Sequence, residues 1–211
     1  MPVPLTRRDL LEKAFVLGGI TVASVFAPAT LLDAWAAQEQ GARKLTPPNE
    51  LGPFYKKRSP EVSHLRVPHD PGLPLAVSGI VYSESGSILQ DATIEVWQAD
   101  HHGHYDLEGY RYRAKLHPDA RGSYGFDSIM PGHYPDRVCQ HIHFLVLAPG
   151  HKPLITQMYF ATDPVFEGDP AKNFARDPVI HTAELIRPVT LSGDPGAVHA
   201  AVNFELVLAK S

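Results

Sequence analysis

Six stretches of the chain carry the β-branched and aromatic content of strands, and two of them alternate apolar with polar residues at period two. They are Leu75–Tyr82, Ala92–Ala99, Tyr124–Ile129, His141–Ala148, Leu154–Phe160 and Ala201–Leu208, with the clearest alternation in the second and the last. Turn-forming runs separate them, Ser83-Glu84-Ser85-Gly86-Ser87 after the first and Met130-Pro131-Gly132 after the third. Beyond the N-terminal region there is no long amphipathic helix and no internal repeat. The 20 prolines and 16 glycines cut the chain into short segments. The pattern predicts an all-β fold, a β-sandwich of short, mostly antiparallel strands with long loops. Residues 56–74, rich in charge and proline, are expected to wrap the domain, and 163–177 to make an excursion with little regular structure.

The first 37 residues are of another kind. Arg7-Arg8 precede an apolar stretch from Ala14 to Ala27, and Ala34-Trp35-Ala36-Ala37 places small residues for cleavage. This reads as an export signal of twin-arginine type over 1–37, followed by a polar linker over 38–48 and a β-domain over 49–211. The apolar stretch is short and broken by Gly18-Gly19 and Pro28, which disfavours an uncleaved membrane anchor. The expected location is periplasmic or secreted, with no membrane contact after cleavage. With 211 residues the chain is long enough for one domain with a substantial core, and its formal net charge of −4 without a basic stripe argues against a nucleic-acid surface. Cys139 is the single cysteine, so no intrachain disulfide forms, and it is expected to be a small buried apolar residue.

The chemistry centres on His141-Ile142-His143. Residues two apart on a strand point to one side, so both imidazoles aim at one place and make half of a metal site. Upstream, His101-His102-Gly103-His104-Tyr105 admits two readings: a zinc or copper site in its own right, or a solvated loop that delivers only Tyr105. Tyrosine ligates only where a strong Lewis acid removes its proton, and ferric iron suits that role. Two phenolates and two imidazoles leave one Fe(III) with a net charge of about +1, which a hydroxide neutralises in a buried site.

Four motifs in order resemble the intradiol ring-cleavage dioxygenase family, which includes protocatechuate 3,4-dioxygenase and catechol 1,2-dioxygenase. They are Leu51-Gly52-Pro53-Phe54-Tyr55; Glu95-Val96-Trp97-Gln98-Ala99-Asp100 with Gly103-His104-Tyr105; Gly122-Ser123-Tyr124-Gly125-Phe126 through Pro131-Gly132-His133-Tyr134-Pro135; and His141-Ile142-His143-Phe144. Thr156-Gln157-Met158-Tyr159-Phe160 and Asp163-Pro164 also match. The resemblance implies that Tyr105, Tyr134, His141 and His143 bind one non-haem Fe(III) per chain. It further implies that a catechol binds through both oxygens, that Tyr134 is the axial ligand displaced, and that O2 opens the ring between the hydroxylated carbons to give a cis,cis-muconate-type diacid. The family's arginine stands three residues before the first ligand histidine. That position is Val138 here and Arg137 lies one earlier, so Arg137 is the candidate for stabilising negative charge on the substrate. Gln157 matches a catalytic glutamine near the substrate and Tyr159 a pocket tyrosine, so Arg137, Gln157 and Tyr159 are the expected substrate-binding side chains. Gln140 is given no role, and Trp97 is expected in the core. Partners are then a small aromatic and O2, and the reading is compatible with a homo-oligomer. Only about a dozen residues separate the expected cleavage site from Leu51, leaving no room for the helical dimerisation region of the catechol 1,2-dioxygenases.

Two other readings compete. An exported, non-catalytic β-sandwich binding aromatics, sugars or a partner protein is compatible with the fold alone. A zinc hydrolase built on His101, His102 and His104 leaves Tyr134 and His141-Ile142-His143 without a purpose.

Overall fold

The computed structural model describes residues 41–211 except Pro68, Pro135, Asp136 and Pro195. The stretch read as an export signal lies outside the described residues. Ten strands follow in chain order: β1 (Pro74–Ser83), β2 (Thr93–Trp97), β3 (Arg113–Leu116), β4 (Ser123–Ile129), β5 (His141–Leu147), β6 (Leu154–Phe160), β7 (Ile186–Arg187), β8 (Thr190–Ser192), β9 (His199–Asn203) and β10 (Leu206–Leu208). They form two sheets. One runs β10-β1-β9-β8 with β4 also paired to β1, and the other runs β3-β2-β5-β6-β7. Five pairings are antiparallel and three parallel, so both sheets are mixed.

The core lies between the sheets. On β5 the side chains of Ile142, Phe144 and Val146 are fully buried, and Phe144 meets Tyr124 and Phe126 of β4 and Phe204 after β9. Each such side chain contributes roughly 1.5–3 kcal/mol by leaving water. The alternation that sends these residues inward sends His141 and His143 to the opposite face of the same strand.

The strand expected over 201–208 is two, β9 and β10, broken at Phe204-Glu205. Phe204 turns its carbonyl inward to accept the Tyr124 hydroxyl at 2.5 Å. A side chain at Gly79 would bring Cβ to 2.0 Å from that oxygen, so glycine on β1 is what admits the crossing backbone. Strands β3, β7 and β8 were not expected. They are two to four residues long, and the first is the polar run Arg-Ala-Lys-Leu.

The segment read as linker runs hydrogen-bonded along the domain. Arg43 N–H reaches the Glu84 carbonyl and Thr46 N–H the Val207 carbonyl, and just past the segment Asn49 N–H reaches the Ile155 carbonyl. The 56–74 loop wraps the domain as expected: Lys56 binds the carbonyls of Leu107, Glu108 and Gly109, and Leu65 N–H bonds to Asp127 O. The 163–177 excursion is more ordered than expected. It holds 3-10 turns at Pro164–Phe166 and Phe174–Arg176 around the one-turn helix α1 (Pro170–Asn173). Two Asp-Pro pairs account for this, since Asp163 and Asp169 cap backbone N–H groups and each proline fills the first position. Among the described residues no helix is long and apolar enough to cross a membrane.

Candidate functional site

Strand register assembles the site's floor. His141 pairs with Tyr159 and His143 with Gln157 across β5–β6, while Trp97 of β2 pairs with His143 from the other side. The His141 and His143 rings stand 4.9 Å apart, centroid to centroid. Two loops bring the tyrosines over them. The Tyr105 ring lies 6.3 Å from His143, Tyr134 lies 5.7 Å from His141, and the tyrosines stand 5.9 Å apart, edge to face.

The loops dock on each other through Asp100 and two glycines. The Asp100 carboxylate accepts the N–H groups of His102 and His104, and its carbonyl accepts those of Gly103 and Gly132. A Cβ on Gly103 would fall 1.9 Å from the His133 carbonyl oxygen, and one on Gly132 2.4 Å from the His101 oxygen. Only glycine lets the backbones approach this closely. The histidine loop therefore delivers Tyr105. His102 and His104 are solvent-exposed, and no group of three His, Cys, Asp or Glu capable of holding a metal occurs among the described residues.

The N-terminal strap at 49–55 covers the site. Phe54 stacks on Tyr105 at 4.2 Å and meets Tyr134 edge-on at 5.9 Å. The buried Arg113 holds the strap by donating to Phe54 O at 2.7 Å. Trp97 is buried as expected, but it also stacks on His143 at 4.9 Å with planes 5° apart.

The arrangement fits a metal. His141 Nδ1 donates to the Cys139 carbonyl at 2.8 Å, which fixes the tautomer and leaves Nε2 as a lone-pair donor. The Tyr105 hydroxyl lies 3.3 Å from that Nε2, about the separation of neighbouring donors that each stand about 2 Å from one ion. Burial, helped by Arg137, pushes His141 down to about 4, and burial with the neighbouring His141 depresses His143 well below the usual value. Both imidazoles are thus neutral, the form that ligates. Burial and the neighbouring Tyr134 raise Tyr105 above the ordinary phenol value, with Arg137 and Arg113 opposing. Removing its proton takes a strong Lewis acid, which a ferric ion is.

Arg137, not Val138, faces the site: Arg137 is 8% exposed and Val138 45%. Its Nη2 donates to Gln157 Oε1 at 3.0 Å and to the Tyr159 hydroxyl at 2.8 Å. Tyr159 in turn donates to Gln157 Oε1 at 2.9 Å, and Gln157 Nε2 donates to Glu50 O at 2.7 Å. The three residues expected to bind substrate are therefore one network beside His141. Three further members carry no motif: Asn49, which donates to Tyr159; the Glu50 carbonyl; and Asp177, which accepts from Arg137 Nε at 3.2 Å. Gln140 braces the turn before β5, binding Asp163 through its N–H and Pro131 O through its side chain. Cys139 is fully buried, as expected, and burial raises its thiol.

A family model described as Dioxygenase matches residues 51–210. Catechol 1,2-dioxygenase 2 of Acinetobacter lwoffii is 33% identical over 163 residues, 64% of this chain and 58% of that protein. Chlorocatechol 1,2-dioxygenase of Rhodococcus opacus is 28% identical over 188 residues, 74% of this chain and 70% of that one. The chain thus spans little more than half the length of the first of these relatives. Among solved structures, the dioxygenase domain of a dioxygenase carbohydrate-binding protein fusion from Streptomyces sp. SirexAA-E aligns with TM-score 0.69 and 33% identity, over 80% of this chain and all of that one. Catechol 1,2-dioxygenase from Pseudomonas arvilla C-1 aligns with TM-score 0.67 and 26% identity, over 87% of this chain and 68% of that one.

Proposed function

The chain belongs to the intradiol ring-cleavage dioxygenase family, and from that premise we propose that it is a non-haem Fe(III) enzyme. It cleaves a catechol-type ring between its two hydroxylated carbons with O2, giving a cis,cis-muconate-type diacid. The observation that carries this is the meeting of Tyr105, Tyr134, His141 and His143 with both imidazoles held neutral. Tyr105, Tyr134, His141 and His143 would hold the iron, one per chain. When bound, the iron supplies Lewis acidity and makes the coordinated catecholate reactive toward O2.

The protein's own contributions follow from its contacts. The Cys139 carbonyl keeps His141 Nε2 free of a proton. Trp97 and Gly52 bracket the His143 ring. Held as a phenolate by the iron, the Tyr134 oxygen would be the base for one substrate proton. The Arg137 guanidinium, itself fixed by Gln157 and Tyr159, faces the negative charge that grows on the substrate ring. Phe54 and the strap exclude water from the tyrosine side.

The export reading stays part of the proposal. The paired arginines, apolar stretch and small-residue site within residues 1–37 resemble a twin-arginine signal and support a location in the periplasm or outside the cell, with aromatics met there as substrates.

The test is the visible spectrum and iron content of the protein lacking residues 1–37, before and after anaerobic addition of catechol. A red-brown band with about one iron per chain, shifting on catechol addition, is the expected result. A colourless, iron-free protein after reconstitution with iron overturns the reading.

A further inference from the structure

The guanidinium of Arg137 has lost almost all contact with water, being 8% exposed. A buried cation needs an anion and a full set of acceptors. Its Nη2 is taken by two neutral groups, Gln157 Oε1 and the Tyr159 hydroxyl. Among the described residues the anion within ion-pair distance is Asp177, whose Oδ2 accepts from Nε at 3.2 Å. Asp177 arrives from the end of the 163–177 excursion, 40 positions along the chain, and its side chain is fully buried.

The carboxylate is itself fixed. Its Oδ1 accepts Val179 N–H at 3.0 Å, and the Asp177 carbonyl accepts Ile180 N–H at 3.0 Å. The same turn is tied to the opposite side of the network, because Asn49 Nδ2 donates both to Val179 O at 3.1 Å and to the Tyr159 hydroxyl at 3.3 Å. A rigid anion on one side and the Gln157–Tyr159 pair on the other leave the guanidinium one position.

We propose that Asp177 is the positioning residue for Arg137: by gripping Nε it holds the guanidinium on the Gln157–Tyr159 face beside His141. This grip explains how an arginine one place earlier than the family's position fills that role. The Asp177 carboxylate bonds to Arg137 Nε and to Val179 N–H, so its proposed effect on the reaction runs through Arg137. The inference rests on the role given to Arg137 above.

The test is a cycle of four iron-loaded full-length proteins: wild type, D177N, R137A and the double variant. In D177N the iron content and resting visible band stay at the wild-type level, since the four ligands are untouched. Its kcat falls roughly 10- to 100-fold with KM within about threefold, the scale of a misplaced catalytic group. In the R137A background, D177N changes kcat by less than about twofold, because the residue it positions is gone. Wild-type kcat in D177N, a loss that multiplies onto that of R137A, or a loss that tracks missing iron each overturns the proposal. If D177N does not accumulate as soluble protein, D177E, which keeps the charge and displaces it by one methylene, is read by the same cycle; wild-type kcat there overturns the proposal. A wild-type protein without iron or turnover is recognised first, and it overturns the functional reading along with this one.

Discussion

Gly52 lies against the edge of His143: a Cβ on this glycine would stand 3.0 Å from the imidazole Cε1. Its φ of +71° also sits in the left-handed region. Trp97 stacks flat on the ring at 4.9 Å, so His143 can give way only by sliding within its own plane. The opening motif of the domain is therefore a clamp on an imidazole proposed to bind iron, and its glycine serves both the turn and the approach.

Gly52→Ala should accordingly do two things. The left-handed alanine costs roughly 1–2 kcal/mol, read as a melting temperature lower by about 2–8 °C for a chain of this size. The shifted imidazole should weaken iron binding by about 10-fold or more, the scale of disturbing a ligand's support. Thermal melts of the metal-free protein and iron titration separate the two effects.

Gly103→Ala and Gly168→Ala make a matched pair. Both glycines have positive φ, +85° and +76°, but the Gly103 Cβ would meet a backbone oxygen at 1.9 Å whereas Gly168 has open space around it. G168A should cost only the conformational term, about 1–2 kcal/mol. G103A adds overpacking of about 1–3 kcal/mol and forces the Tyr105 and Tyr134 loops apart, so it should also lose iron. Equal melting temperatures for the two variants would show that the loops are not held by this contact.

Gln157→Leu keeps the volume and removes the centre of the polar network. The Tyr159 hydroxyl loses its acceptor and the Glu50 carbonyl its donor. Buried groups left unpaired cost about 1–3 kcal/mol each, so a loss of roughly 2–6 kcal/mol is expected in denaturant unfolding. Turnover should fall as well, because Arg137 loses one of its two Nη2 acceptors. Unchanged unfolding would mean that water replaces the amide.

The legible part of this protein is what recurs at short range. Strand-like runs locate β1, β2, β4, β5 and β6, and the spacing of His141-Ile142-His143 by itself puts two imidazoles on one face. Strands of two to four residues carry too few positions for a period to show, so β7 and β8 leave no signal. The break at Phe204 depends on Gly79, 125 positions earlier, and long-range steric fit leaves no local mark. The same holds in the site. Tyr105, Tyr134, Gln157 and Tyr159 sit in recognisable motifs, whereas Asp177, Asn49 and the Glu50 carbonyl act through tertiary contacts. Nothing in the sequence marks Asp177: like Asp169 in the same excursion it precedes a proline and lies in no recognised motif.

The metal-free protein should lose stability in acid through His141. Burial lowers its value from 6.5 to about 4. Between those values the unfolded chain binds a proton that the folded chain refuses, so stability rises with pH there. The contribution is complete above about 6.5 and falls away as the pH drops toward 4, by roughly 3 kcal/mol in all. Unfolding free energies of the metal-free protein at pH 7, 5.5 and 4 test this, with His141→Gln as the comparison. That variant should have a flatter profile over the same range, and an equal slope in both proteins would remove His141 as the cause.

Tyr105→Phe isolates the ligand role from the packing role. The ring stacks on Phe54 at 4.2 Å, and phenylalanine preserves that contact. The hydroxyl's hydrogen bond is to His141 Nε2 at 3.3 Å, a long one whose loss should change the metal-free stability by about 1 kcal/mol or less. Iron is another matter, because on the proposed ligand set the variant removes one of two phenolates that would balance a ferric charge in a buried site. Iron content after reconstitution should fall well below one per chain and turnover by at least about 100-fold. Any iron that remains should absorb differently, having one phenolate donor fewer. His141→Ala should lose iron to the same degree but also open a cavity beside Tyr159, so it should melt lower than Tyr105→Phe. Full iron and full turnover in Tyr105→Phe would mean that the phenol is a packing residue and that the ion, if bound, sits elsewhere.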